Sequence, residues 1–261
     1  MPPERARTPD WRDAEAYALL LEADRSIFGW EWLRRDPSYR EAAERALEAA
    51  RGRRLPGKPE GPQHWGLHAF EPPHLTVPDA RPVWRADIHP YVLKVHADRP
   101  LEGADSFELP RLRVSSTMVT SPDRQEHLLI SDGLRTIRFD VLAGSLKGGP
   151  VQLRYLLAGF ASAERPLLTL RRLLALRRTG RFSEALHPAQ PRARRFVLML
   201  RAHDAMATGA TQREIAAKLL SAEAEEARWR VSAPTVRSRV QRLVRNARAM
   251  AAGGYVSLLE V

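Results

Sequence analysis

Cysteine is missing altogether, so disulfides and thiolate chemistry are excluded. No run of about 18 apolar residues occurs, so no segment reads as a membrane span. The opening "MPPERARTPD" lacks the apolar stretch of a secretory signal, and the expected compartment is the cytoplasm. Common enzyme motifs are missing too. "GSLKGG" (144–149) lacks the GK[ST] ending of a phosphate-binding loop, and neither G-x-S-x-G nor S-x-x-K is found. The eight histidines are scattered. His64, His68 and His74 share "QHWGLHAFEPPH", where prolines break the helical spacing a metal site would use. His203 falls on an apolar helical stripe and reads as a core residue. No catalytic residue, cofactor or metal is expected, and the chain reads as a non-enzyme.

Lysine is scarce, arginine supplying nearly all of the 42 basic residues. The net charge of +11 hides an asymmetry. Residues 165–261 carry 19 basic against 7 acidic residues, a balance of +12, while residues 1–164 balance to −1. Charge segregated to one end points to a polyanionic partner there. Arginine suits planar, bidentate contact with phosphate and guanine, although a genomic preference for arginine gives the same composition. With 261 residues and 44% apolar content, the chain can build a core without a metal or disulfide staple.

Composition divides the chain into parts that together read as α+β. Residues 9–51 form a helical module. "WRDAEAYALLLEADRSIFGWEWLRR" has no breaker before Asp36-Pro37, and a second helix then starts at Pro37 and stops at Gly52. Phe28 and Trp32 share one helical face and Trp30 another; they read as core first and as a subunit contact second. Residues 52–79 form a Pro-rich linker, and residues 51–110 hold 10 of the 20 prolines. Residues 80–162 read as a small antiparallel β-rich domain. "EHLLI" and "LRTIRFDVL" flank the turn pair Asp132-Gly133, with Ile137, Phe139 and Val141 on one face. Residues 165–258 form a basic, helical domain of helix-turn-helix type.

"GATQREIAAKLL" (209–220) begins with Thr211 and Glu214 at capping-box spacing. The helix over 232–254 decides how to read it. At about 100° per residue, Val236, Val240, Leu243, Val244 and Ala247 form one narrow stripe. Opposite lie Arg237, Ser238, Gln241, Arg242, Arg245 and Arg248, with Thr235 in the first turn. No acid occurs between Arg228 and Met250, so nothing local neutralises these arginines. Such a helix fits the major groove, where Arg reads guanine and Gln reads adenine. Helices over 191–208, 211–220 and 233–250 give the order of a three-helix, helix-turn-helix-type unit. Thr211, Gln212 and Arg213 stand where backbone N–H groups and the helix dipole favour a phosphate. The connection of about eleven residues is longer than the usual three or four, Trp229 within it reads as a packing anchor, and "YVSLLEV" could supply one strand. The expected partner is double-stranded DNA. The alternatives are docking of the basic helix on an acidic protein, or RNA binding.

The stretch from "GRFSEALHPAQPRARRF" through "GATQREIA" to "LVRNARAMAAGGY" resembles the DNA-binding domain family named for type VI secretion transcription factors. "PDWRDAEAYALLLEADRSIFGWEWLRRDPSYREAA" resembles the transcriptional-regulator-like domain often found ahead of it. The two resemblances cover roughly residues 165–257 and 9–50. They imply a proteobacterial transcriptional regulator, often tied to mobile or horizontally acquired elements, whose characterised members tend to activate promoters. Activation implies RNA polymerase as a further partner, and symmetric DNA sites imply a homo-oligomer. No catalytic motif comes with the resemblance.

Overall fold

The computed structural model describes residues 9–52, 60–100, 105–226 and 228–260. Asp24 divides the long N-terminal helix read from the sequence. A 3-10 turn spans Glu15–Leu21, and α1 (Arg25–Leu33) starts afresh with Asp24 as its cap. The Asp24 carboxylate accepts from Ser26 N (2.9 Å), Ile27 N (3.3 Å) and Thr136 Oγ1 (2.7 Å), while its own N–H donates to Leu134 O (2.9 Å). Tertiary hydrogen bonds from the neighbouring strand thus override a propensity that would have carried the helix through. Farther on, α2 (Pro37–Ala50) keeps the expected boundaries: Asp36 accepts from Ser38 N (2.8 Å) and Tyr39 N (3.3 Å), and Gly52 has φ +82°.

Five strands follow: β1 (Val92–Asp98), β2 (Ser115–Thr120), β3 (Glu126–Ser131), β4 (Thr136–Gly144) and β5 (Gln152–Leu156). Their order in the sheet is β2-β3-β4-β1-β5. β3 and β4 form the expected hairpin, Ile130 facing Ile137. Gly133 takes φ +100° in its turn, where a Cβ would strike the Pro78 carbonyl. The sheet is not antiparallel throughout. β1 runs parallel to β4, because the chain crosses from β1 to the far edge before the β2-β3-β4 meander returns. Apolar alternation records which face is buried but not strand direction, so this pairing was not legible in the sequence.

Two cores organise the molecule. Leu93, Val95, Leu128, Ile130, Ile137, Phe139 and Val141 cover one sheet face and pack on Leu173 and Leu176 of α3 (Glu164–Thr179). The larger core joins the two ends of the chain. It contains Phe28, Trp30 and Trp32 of α1, Trp65 and Leu67 from the Pro-rich stretch, and the C-terminal helices α4 (Ala193–Ala207), α5 (Gln212–Leu219), α6 (Trp229–Ser232), α7 (Pro234–Ala249) and α8 (Val256–Glu260). The described part of 52–79 is thus packed rather than a spacer. Phe28, Trp30 and Trp32 are at most 1% exposed, so they offer no surface to a second subunit. The C-terminal stretch read as a possible strand is the helix α8. Gly253 turns the chain at φ +99°, and Leu259 seats against Gly29, where a Cβ would lie 2.8 Å from its Cδ2. Among the described residues no helix is long and apolar enough to cross a membrane.

Candidate nucleic-acid interface

α7 starts with Pro234 in its first turn, where the missing N–H costs nothing. Val236, Val240, Val244 and Ala247 are buried against Phe196, Met199 and Leu200 of α4 and Ile215 and Ala216 of α5. Burying one stripe leaves the rest of the helix in solvent. Thr235, Arg237, Ser238, Gln241, Arg242, Arg245 and Arg248 are all exposed. Arg239 is exposed as well, and the sequence reading left it out. Its signal was available: it lies on the same helix, three residues before Arg242, in the same acid-free run.

Arg237, Arg239, Arg242, Arg245 and Arg248 have no hydrogen-bond or ion-pair partner among the described residues. The face therefore keeps its full positive charge over about three helical turns. α4 extends it: Arg195, exposed and equally unpartnered, lines a cleft with Arg239, Arg242 and Asn246.

The first turn of α5 is arranged differently. Thr211 and Glu214 form the reciprocal capping box, with Thr211 N donating to Glu214 Oε2 at 2.8 Å and Glu214 N to Thr211 Oγ1 at 3.3 Å. The hydrogen bonds from Thr211 hold the Glu214 carboxyl below its ordinary range. A carboxylate already stands where a phosphate would sit. Arg213 is exposed, but its Nε donates to Ala224 O (3.1 Å) and its Nη2 to Glu225 O. Of the three residues read as a phosphate anchor, Gln212 alone has an exposed side chain with no such engagement. The segment between α5 and α7 contains a 3-10 turn (Ala222–Glu225) and the single-turn α6, with Trp229 buried as an anchor. The connection is therefore longer than that of a simple two-helix turn.

What ties α4 to the N-terminal module is a buried charge network reaching back to α1. Arg35 makes a two-pronged pair with Asp204 of α4 (Nε–Oδ1 2.7 Å, Nη2–Oδ2 2.8 Å), and its Nη1 donates to Glu31 Oε2 at 2.6 Å. Tyr17 Oη donates to Asp204 Oδ2 (2.6 Å), Thr76 Oγ1 to Glu31 Oε1 (2.6 Å), and Arg34 Nε to Glu31 Oε2 (2.8 Å). Burial pushes the Glu31 carboxyl up, but the Arg34 and Arg35 charges outweigh it and hold the group below its ordinary range. The string "WEWLRRD" is thus the tie between the chain's two ends. His203 lies edge-on against Trp32 at 5.6 Å in the same neighbourhood, as a packed histidine.

The middle of the chain brings together residues the sequence keeps apart. His68, His127 and Asp140 place possible metal-ligand atoms within 4.8 Å of one another. His64 instead lies near Glu60 (3.5 Å), and His74 is exposed. In the cluster, Asp140 Oδ1 accepts from His127 Nδ1 (2.7 Å) and Arg138 Nη2 (3.2 Å), so a guanidinium competes with any cation. Ser121 Oγ lies 3.2 Å from His127 Nε2, which resembles a nucleophile–base pair. However, the Ser121 hydroxyl donates to Asp123, and Arg138 already neutralises Asp140. Arg138, His127 and Ser121 thus account for Asp140 and His127, while His68 is stacked on the His127 ring at 3.4 Å and its buried Nε2 has no hydrogen-bond partner among the described residues.

The geometry defines a protein with a helical domain that displays one unneutralised cationic helix, braced by its own N-terminal module. A family model described as "T6SS, Transcription factor, DNA binding domain" matches residues 158–260. A second, described as "Proteobacterial transcriptional regulator-like domain", matches residues 10–68. Both families belong to transcriptional regulation, and their order is the one the sequence resemblance implied. Among curated proteins none matches the chain.

Proposed function

We propose that the protein is a sequence-specific transcriptional regulator that binds double-stranded DNA through α7. The observation that carries this reading is the exposed, unpartnered face of Arg237, Arg239, Arg242, Arg245 and Arg248, interleaved with Ser238 and Gln241. A duplex offers what such a face lacks, a dense row of negative charge with base edges in the groove between. α7 enters the major groove in the manner of a recognition helix, α4 and α5 brace it from behind, and Arg195 reaches a flanking phosphate. Gln212 is left as the residue of the α5 turn with a side chain free for the backbone. The protein acts in the cytoplasm at the nucleoid, as a homo-oligomer on a symmetric site. It activates transcription together with RNA polymerase, the direction in which the family resemblance points, and serves a mobile or horizontally acquired element.

Titration of the full chain with labelled duplex across a salt series tests this reading. The expected result is an affinity that falls steeply and linearly on a log–log salt plot, with preference for duplex over single strands. Binding indifferent to salt would overturn DNA as the partner in favour of an acidic protein surface, and preference for single strands would favour RNA. A promoter fusion with and without the protein tests activation.

A further inference from the structure

A cavity of about 260 Å³ lies where the N-terminal module, the sheet, α3 and the segment leading into α4 meet. Asp24, His89, Tyr91, Thr136, Arg172 and His187 are among its walls, and the rim is closed by 188–191. The matched N-terminal region, the unmatched middle and the matched C-terminal region all contribute, so the cavity exists only in the folded whole. None of its residues belongs to the α7 face.

Its walls carry one carboxylate, Asp24, and two guanidinium groups, Arg25 and Arg172. Arg172 is half-buried, yet Nε alone finds a hydrogen-bond acceptor, Leu186 O at 2.9 Å; its ring neighbour is Tyr91, 5.8 Å from the guanidinium carbon. The other two nitrogens have no partner among the described residues. Asp24 is close enough to favour the Arg172 charge but makes no hydrogen bond to it; its oxygens accept from Ser26, Ile27 and Thr136. Partial burial disfavours the charged guanidinium, and an oxyanion entering the cavity offsets that cost.

The second element is His187, which is 6% exposed. Its Nδ1 lies 3.0 Å from Ser183 O, so Nδ1 carries the proton and donates to that carbonyl. Nε2 is then an acceptor, buried and without a hydrogen bond of good geometry, although the Thr136 backbone carbonyl also lies near the ring. Burial holds this imidazole, like that of His89, below the ordinary histidine range, so both are neutral near pH 7. A buried acceptor beside an unsatisfied cation calls for a ligand with a negative oxygen and a hydroxyl donor together.

We propose that this cavity is a binding site for a small hydroxyl-bearing oxyanion, held by Arg172 through its charge and by His187 Nε2 through the hydroxyl. Short hydroxy acids and hydrogenphosphate share this chemistry. A ligand here contacts the 187–191 segment, one step before the first turn of α4. It therefore fastens the helix that supports α7 to the sheet and to α1.

The test is thermal unfolding of the full chain with sodium glycolate, sodium acetate or inorganic phosphate, each against chloride at matched ionic strength. A saturable rise in Tm is expected with glycolate or phosphate, the stronger of the two naming the source, and a clearly smaller rise with acetate, which lacks the hydroxyl. Arg172→Gln should abolish the rise. Ala189→Phe, on the exposed rim, should abolish it by filling the space while leaving Arg172 in place. Arg242→Ala should leave it intact, separating this cavity from anions collected on α7. No saturable rise with any of the three, or a rise that survives both Arg172→Gln and Ala189→Phe, overturns the site. Equal rises with glycolate and acetate overturn the role given to His187. No DNA enters the measurement, so its failure leaves the reading of α7 untouched.

Discussion

Arg35 and Arg245 are the same residue type under opposite conditions. Arg35 is buried, with two nitrogens on Asp204 and one on Glu31. Arg245 is exposed and has no partner among the described residues. In the first region each carboxylate is matched by arginine and each carboxylate oxygen accepts from a hydroxyl or guanidinium donor, although Arg34 Nη2 is buried without a partner among the described residues. The network fixes how α1 and α4 meet, because a charge buried without its partner is far costlier than one left in water. In the second region charge accumulates on one face of α7 with no side chain among the described residues to cancel it. Where a guanidinium lies decides whether it serves the fold or the partner.

The largest expected effect breaks the first region. Asp204→Ala leaves Arg35 half unpaired in the interior and removes the acceptor of Tyr17. It should cost about 3–5 kcal/mol in urea unfolding. Acid attacks another part of the interior next, the cavity wall. His89 is pushed down to about 4 by burial, below its unfolded value of about 6.5. The unfolded chain therefore binds a proton that the folded chain refuses. Stability is full above pH 6.5 and falls as the pH drops toward 4, by on the order of 3 kcal/mol for this group. Glu31, held below its ordinary value, adds a further loss once the pH passes below about 4.5. Urea midpoints measured from pH 7 to pH 4 check the sign; a midpoint that rises on acidification contradicts it.

The second region should respond in binding and not in stability. Arg242→Ala and Arg245→Ala should each weaken specific DNA binding by about 1–3 kcal/mol if they read bases. If they grip phosphates, each should instead lower the salt slope by about one. Unfolding midpoints should stay within about 0.5 kcal/mol of the parent, as for other exposed substitutions. Unchanged binding with both removed would take α7 out of the interface. The smallest effect sharpens the boundary between the two regions. Arg213→Ala should cost about 1 kcal/mol of stability, since its guanidinium holds the carbonyls of Ala224 and Glu225. It should change DNA affinity less than Arg242→Ala does.

Much of α7 was legible beforehand. Its stripe of Val236, Val240, Leu243, Val244 and Ala247 and its acid-free run needed only helical spacing and a count of charges. The hairpin at Asp132-Gly133, the capping box at Thr211 and the α2 boundaries were legible for the same reason, being set by residues close in sequence. The break at Asp24 was not, because the hydrogen bonds that enforce it come from Leu134 and Thr136, more than a hundred residues away. Nor could spacing show that Arg213 is engaged by the α5–α6 connection, or that "YVSLLEV" coils into a helix against Gly29.

Local periodicity and charge bias alone determined that this chain has a β-rich middle between helical ends and one cationic helix near its C-terminus. Tertiary structure alone decided that the two ends share a core through Arg35 and Asp204, that β1 lies parallel to β4, and that a cavity forms around Arg172. Helical and strand periods are set by neighbours a few residues apart and survive in the sequence. Burial of a charge, strand direction and the shape of a junction depend on groups that only folding brings together.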